Sequence, residues 1–146
     1  MNYKKKVLLL SFGLFSTISI FSQEVLNSKS SEVLFNAEKN IAAKNEKAQF
    51  TLRVLDNSII GLIVIKDFIF SNSLMQEHFN ENYMESDKYP KASFLGKLIN
   101  FNLENVKERV KEYKAKGILK IHGVEQEVVL LIKMFKKKDI ICLLIL

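Results

Sequence analysis

Apolar and polar positions alternate along much of this chain with the period of two that a half-buried β-strand requires. Residues 49–55 read Gln-Phe-Thr-Leu-Arg-Val-Leu, which sets Phe50, Leu52 and Val54 on one face and Thr51 and Arg53 on the other. Asp56-Asn57-Ser58 follows as a turn signal. Residues 59–70 form a β-branched and aromatic run, broken in charge only by Lys66 and Asp67, and read as one long strand. The two runs together predict a hairpin. Residues 92–101 are strand-like, with Phe94, Gly96 and Leu98 on one face. Residues 115–121 put Ala115, Gly117, Leu119 and Ile121 opposite Lys116 and Lys120. His122-Gly123-Val124-Glu125 reads as a turn, and residues 128–135 as the partner strand, with Val128, Leu130, Ile132 and Met134 on one side.

Between these strands the pattern weakens. Residues 32–37 suggest a short strand, and residues 38–47 are polar and rich in Lys and Asn. Residues 71–91 are polar and irregular, closed by Pro90. Residues 102–114 carry acids and bases at helical spacing, predicting a short helix or a charged loop. Several strands joined by short turns predict an all-β, antiparallel sheet that closes into a barrel or packs as a sandwich. Periodicity does not choose between the two.

Composition narrows the function classes. The 146 residues suggest one domain, and 48% apolar with 26% charged residues argues against disorder. No Trp is present, but eleven Phe can fill a core. Residues 1–22 hold three lysines before an uncharged run at 7–21. A basic start followed by an apolar stretch of this length reads as a secretory signal peptide, cut after Ser22, with residues 23–146 as the folded domain. The alternative is a membrane anchor, for which the run falls short of the roughly 20 apolar residues a spanning helix needs. The expected location is therefore the periplasm or the exterior, with no transmembrane segment after cleavage. Residues 23–146 carry 19 basic and 16 acidic groups, a net +3 that is too mild to point to nucleic acid. A single cysteine, Cys142, allows no internal disulfide and no cysteine-based metal cluster.

Two stretches carry a family resemblance. Residues 74–94, Leu-Met-Gln-Glu-His-Phe-Asn-Glu-Asn-Tyr-Met-Glu-Ser-Asp-Lys-Tyr-Pro-Lys-Ala-Ser-Phe, resemble the loop after the long strand in YceI-like proteins of the Bacteroidetes type, where a His precedes Tyr-Pro and then a strand holding Phe. His78, Tyr89, Pro90 and Phe94 match that order. The second stretch, Gly-x-Leu-x-Ile-His-Gly-Val, is matched by Gly117, Leu119, Ile121, His122, Gly123 and Val124. The resemblance covers roughly residues 30–135. It implies an up-and-down, lipocalin-like antiparallel barrel that binds a polyisoprenoid or similar long-chain lipid, without catalysis and without a cofactor. The chain departs from the family after Lys138, where a further pair of strands is normal and the apolar stretch 140–146 stands instead. The expectation is a truncated or frame-shifted chain whose barrel is incomplete, with an open edge that invites a homodimer, or whose apolar tail serves as the last strand.

The candidate ligand contacts are the inward-facing Phe50, Leu52, Val54, Phe94, Leu98, Leu119, Ile121, Leu130 and Ile132. The same face is equally consistent with plain packing, since a small barrel can fill its own interior with side chains. A non-catalytic envelope or stress-related protein with a filled core and no ligand is the alternative function. The two histidines, His78 and His122, lie near Glu77, Glu81, Glu85 and Asp87 or in a turn. The favoured reading is structural: His78 pins the long loop by hydrogen bonds and His122 opens a turn. A metal or acid–base role needs a further convergence of ligands. No Gly-x-Ser-x-Gly elbow or phosphate-binding glycine loop is present.

Overall fold

The computed structural model describes residues 24–28, 31–37, 41–138 and 140–145, with side chains for 24–28, 31–35 and 42–138. Residues 1–23, and with them the expected signal segment, lie outside the described residues. Ten strands form one sheet: β1 (Val25–Asn27), β2 (Ser31–Ala37), β3 (Ile41–Asn45), β4 (Gln49–Arg53), β5 (Ser58–Val64), β6 (Ile69–Phe70), β7 (Lys91–Leu98), β8 (Lys111–Ile121), β9 (Val124–Lys137) and β10 (Ile140–Ile145). Their spatial order is β1-β4-β5-β7-β8-β9-β10-β2-β3-β6. The fold is the expected antiparallel, barrel-like one, with the sheet wrapped around a single core cluster. It remains open: among the described residues, β1 and β6 are edges not hydrogen-bonded to each other. Both edges are only two or three residues long, which limits pairing with other chains.

The strands with clear alternation fall where the pattern places them. Phe50 and Leu52 of β4, Ala92, Phe94 and Leu98 of β7, Tyr113 and Ala115 of β8, and Ile132 and Met134 of β9 are buried on the inner face. Lys97, Lys116 and Lys120 face water. Within the stretch after Lys138, Ile140–Ile145 form strand β10. It pairs antiparallel with β9 (Ile140↔Lys137 to Ile145↔Ile132) and parallel with β2 (Leu143↔Ser31). Among the described residues that is the one parallel pair; the pairings β1–β4, β5–β7 and β3–β6 also depart from a strict up-and-down order, though they are antiparallel.

Four local expectations are corrected. The run 59–70 is not one strand: β5 stops at Val64, a 3-10 turn follows at Ile65–Asp67, and the chain crosses to pair as β6 with β3. Asn45 marks the break. Fully buried, it donates through Nδ2 to the Val64 carbonyl at 3.0 Å and accepts through Oδ1 from the Lys47 N–H at 2.9 Å, so polar groups at the end of the ladder are not left unpaired. Second, the polar stretch 38–47 contains β3. Third, of the two readings of 102–114 the charged loop leading into a strand is the one that forms, with a 3-10 turn at Leu103–Asn105 and β8 from Lys111, and the short helix does not. A helix lies instead in the stretch read as irregular: α1 (Ser73–His78) continues into a wider π-type turn, Phe79–Tyr83. Fourth, Val54 is past the end of β4, half-buried in the turn, with its N–H donating to the Glu24 carbonyl at 3.0 Å.

Candidate functional site

α1 is positioned by polar side chains at both its start and its flank. Asn72 caps it, its Oδ1 accepting from the N–H groups of Leu74 (2.9 Å) and Met75 (3.2 Å), which pairs two otherwise free helix-start donors. Gln76 clamps the helix to β6. Its Nε2 donates to the Phe68 carbonyl at 2.8 Å and its Oε1 accepts from the Phe70 N–H at 3.1 Å. The turn then widens, the Met84 N–H reaching the Phe79 carbonyl at 2.9 Å. This insertion turns Phe79 inward while Tyr83 remains exposed.

Beneath the helix lies a pocket of about 380 Å³ lined by Phe35, Phe70, Met75, His78, Phe79, Tyr83 and Met84. Phe79 is its centre. The Phe79 ring sits 4.9 Å from that of Phe70, 5.7 Å from Phe35 and 5.6 Å, edge-on, from Phe68. Phe35, Phe70 and Met84 pack against the buried core from the outside, so the pocket floor is the end of the barrel core. Its size falls at the lower end of the roughly 300–1,000 Å³ typical of small-molecule sites. It suits a short apolar body or one segment of a longer chain. His78 carries the one basic side chain among these lining residues.

The inward set named from the sequence separates into two groups. Phe50, Leu52, Phe94, Leu98 and Ile132 are fully enclosed. The two rings lie close against neighbouring backbone: a β-carbon on Gly61 would collide with the Phe50 ring, and one on Gly96 with the Phe94 ring. Leu119, Ile121 and Leu130 are only partly covered and pack against the core near the β8–β9 hairpin tip. None of these residues lines the pocket, and of the sequence-named positions only His78 does. Met75, Phe79 and Tyr83 stand four residues apart, a helical spacing inside a stretch whose polarity masked it.

The contacts of the loop motif differ from those expected. His78 makes no side-chain hydrogen bond among the described residues; the pinning comes from the other histidine. His122 Nε2 and Glu85 Oε2 are 2.8 Å apart, and the Tyr89 ring stands edge-on to the His122 ring at 4.8 Å. Pro90 accepts through its carbonyl from the Ile65 N–H at 2.9 Å. Lys66 and Asp87 form a further tie at 2.6 Å, and the ammonium holds the Asp87 carboxyl below its usual range. Among the described residues no group of three His, Cys, Asp or Glu side chains could hold a metal ion, and no helix is long and apolar enough to cross a membrane.

The YceI-like domain model matches residues 23–142. No curated protein matches the chain. Among solved structures, a polyisoprenoid binding domain from Saccharophagus degradans, implicated in plant cell wall breakdown, is similar with a TM-score of 0.54 at 8% identity, covering 79% of this chain and 65% of that one. This chain thus spans slightly less than two thirds of that protein's length. Burkholderia cenocepacia BcnA is similar with a TM-score of 0.52 at 14% identity, over 80% of this chain and 73% of that one. At these identities the likeness is one of fold.

Proposed function

Because the chain belongs to the YceI-like domain family, we propose that it is an exported binding protein that sequesters an apolar lipid of the polyisoprenoid class. The observation that carries the reading is the aromatic and methionine pocket under α1. Each methylene moved from water into such a lining contributes roughly 0.8 kcal/mol. Thioether and ring faces adapt to a branched chain without demanding one shape. Polyisoprenoid binding by the S. degradans domain, which shares the fold, is the reason for choosing this class among apolar lipids. The action is burial and release, with no bond made or broken.

A second reading rests on the filled interior. Phe50, Phe94 and Ile132 leave the middle of the barrel packed, which favours an envelope protein that carries nothing. Organic extraction of the protein purified from an exporting host separates the two. A stoichiometric isoprenoid in the extract supports the carrier. An empty extract, together with no uptake of an added isoprenoid alcohol, supports the filled-core protein.

A further inference from the structure

The two ends of the barrel differ in charge. Strand registers bring the β4–β5 turn, the β7–β8 connection, the start of β1 and the end of β9 to the end remote from the pocket: Val25 pairs with Arg53, Ser58 with Lys97, and Lys111 with Met134. Backbone and side-chain hydrogen bonds join these segments into one platform. The Leu98 N–H donates to the Asn57 carbonyl (2.9 Å), Asn57 Nδ2 to the Phe101 carbonyl (3.2 Å), and the Lys136 N–H to the Lys107 carbonyl (2.8 Å). On this platform Leu55 is 69% exposed, Val110 57%, Val25 47% and Ile99 43%. Around them stand the exposed Lys97, Lys107, Arg109, Lys137 and Lys138. Lys107, Arg109 and Lys138 border an open hollow of about 620 Å³. Glu24, Glu104 and Glu108 are acids nearby, Glu108 lining the hollow itself, while Glu112 meets Lys133 at 3.4 Å and Asp56 meets Arg53 at 2.7 Å.

The pocket end also exposes apolar groups, with Leu74 at 58% and Tyr83 at 71%. Its helical segment, however, bears Glu77 and Glu81, and the turn after it Glu85 and Asp87, which meet His122 and Lys66. Exposed apolar loop tips ringed by lysine and arginine suit the interface of an anionic bilayer: the tips enter the acyl boundary while the cations meet headgroup charge. Apolar tips beside carboxylates are repelled from the same surface. We propose that the platform carrying Leu55, Ile99 and Val110 docks on an anionic lipid surface, with the pocket end turned away from the bilayer.

The chain contains no Trp, so single reporters are available. Leu55→Trp and Leu74→Trp are each made in protein purified as it accumulates in an exporting host. They are mixed with phosphatidylglycerol-containing vesicles whose acyl chains are brominated. The proposal expects blue-shifted, quenched emission from Leu55→Trp and unchanged emission from Leu74→Trp. It also expects co-sedimentation to weaken as added salt shortens electrostatic reach to about 3 Å at 1 M. The pair Lys107→Glu and Arg109→Glu lowers vesicle affinity by roughly tenfold or more, with folding unchanged by circular dichroism. Quenching at Leu74→Trp alone would place the membrane at the other end and overturn the proposal. So would binding indifferent to phosphatidylglycerol, or none at low salt. A dimer that Leu55→Ser turns into a monomer would make the occupant a second copy instead. None of these readouts depends on bound isoprenoid.

Discussion

Glu85 and His122 are 37 positions apart in the chain, yet Glu85 Oε2 lies 2.8 Å from His122 Nε2. The contact joins the two stretches that carry the family pattern, the helical segment over the pocket and the β8–β9 hairpin. Both side chains are about half exposed, so the pair itself is worth only about 0.2–1 kcal/mol. Its effect is local. His122→Ala is expected to lower the melting temperature slightly while raising amide hydrogen exchange across residues 73–89. Unchanged exchange there would remove the pinning role.

Gly123 supports the same joint with less tolerance. Its φ is +72°, and a β-carbon would lie 2.7 Å from the Tyr89 ring. Gly123→Ala is expected to cost more than His122→Ala, about 1–2 kcal/mol from the backbone alone, with the ring clash in addition. Urea unfolding of the two variants side by side checks the order.

Much of the sheet was legible because its strands have one wet and one dry face. Phe50 and Leu52 alternate with Thr51 and Arg53, and Phe94 and Leu98 with Leu95 and Lys97. The run 59–70 hid its break because both faces are apolar: Ile60 and Leu62 point outward and are exposed, opposite the buried Ile59 and Ile63. β3 was hidden by its composition, since only Ala43 and Asn45 are buried in it among the described side chains. The pocket was least visible. Phe35, Phe70 and Phe79 come from two strands and a helix, and only the fold brings their rings together. The sequence pointed instead to the barrel interior, where Phe94 and Ile132 are wholly buried.

Tyr113 tests that packing from the other side. Its ring is buried against Phe101 at 5.1 Å, and its hydroxyl has no hydrogen-bond partner in the structure. Burial pushes the phenol above its usual pKa. An unpaired buried hydroxyl costs about 1–3 kcal/mol, so Tyr113→Phe is expected to leave the melting temperature unchanged or raise it. A clear fall would mean the hydroxyl has a partner in solution. Ile132→Ala in the same core is expected to cost about 2–5 kcal/mol.

The β4–β5 turn gives the acid dependence. Hydrogen bonds from Arg53 and then Ser58 hold the Asp56 carboxyl well below its usual range. A carboxylate whose folded pKa is depressed contributes stability above its unfolded value of about 3.9. That contribution fades as pH falls below this value towards the folded pKa. Asp56→Asn should therefore melt lower than the parent at pH 7, and the gap should narrow only below about pH 4. Melting curves across pH 2–7 follow it; a gap independent of pH would show that charge is not its origin.

The pocket and the core separate stability from binding. Met75 lines the pocket but is 38% exposed, so Met75→Glu is expected to change stability by less than about 0.5 kcal/mol. Affinity for an isoprenoid alcohol should fall roughly tenfold or more, because the chain would have to strip water from a carboxylate. Equal affinity in parent and variant would move the ligand elsewhere.

The four methionines allow the most direct test of where an apolar ligand sits. Met75 and Met84 line the pocket, while Met134 is wholly buried in the barrel. Methyl-labelled protein titrated with an isoprenoid alcohol is expected to show saturable shifts at the Met75 and Met84 methyls, with Met134 nearly still. Movement of Met134 alone, or of no methionine at saturating ligand, would contradict the pocket as the binding site.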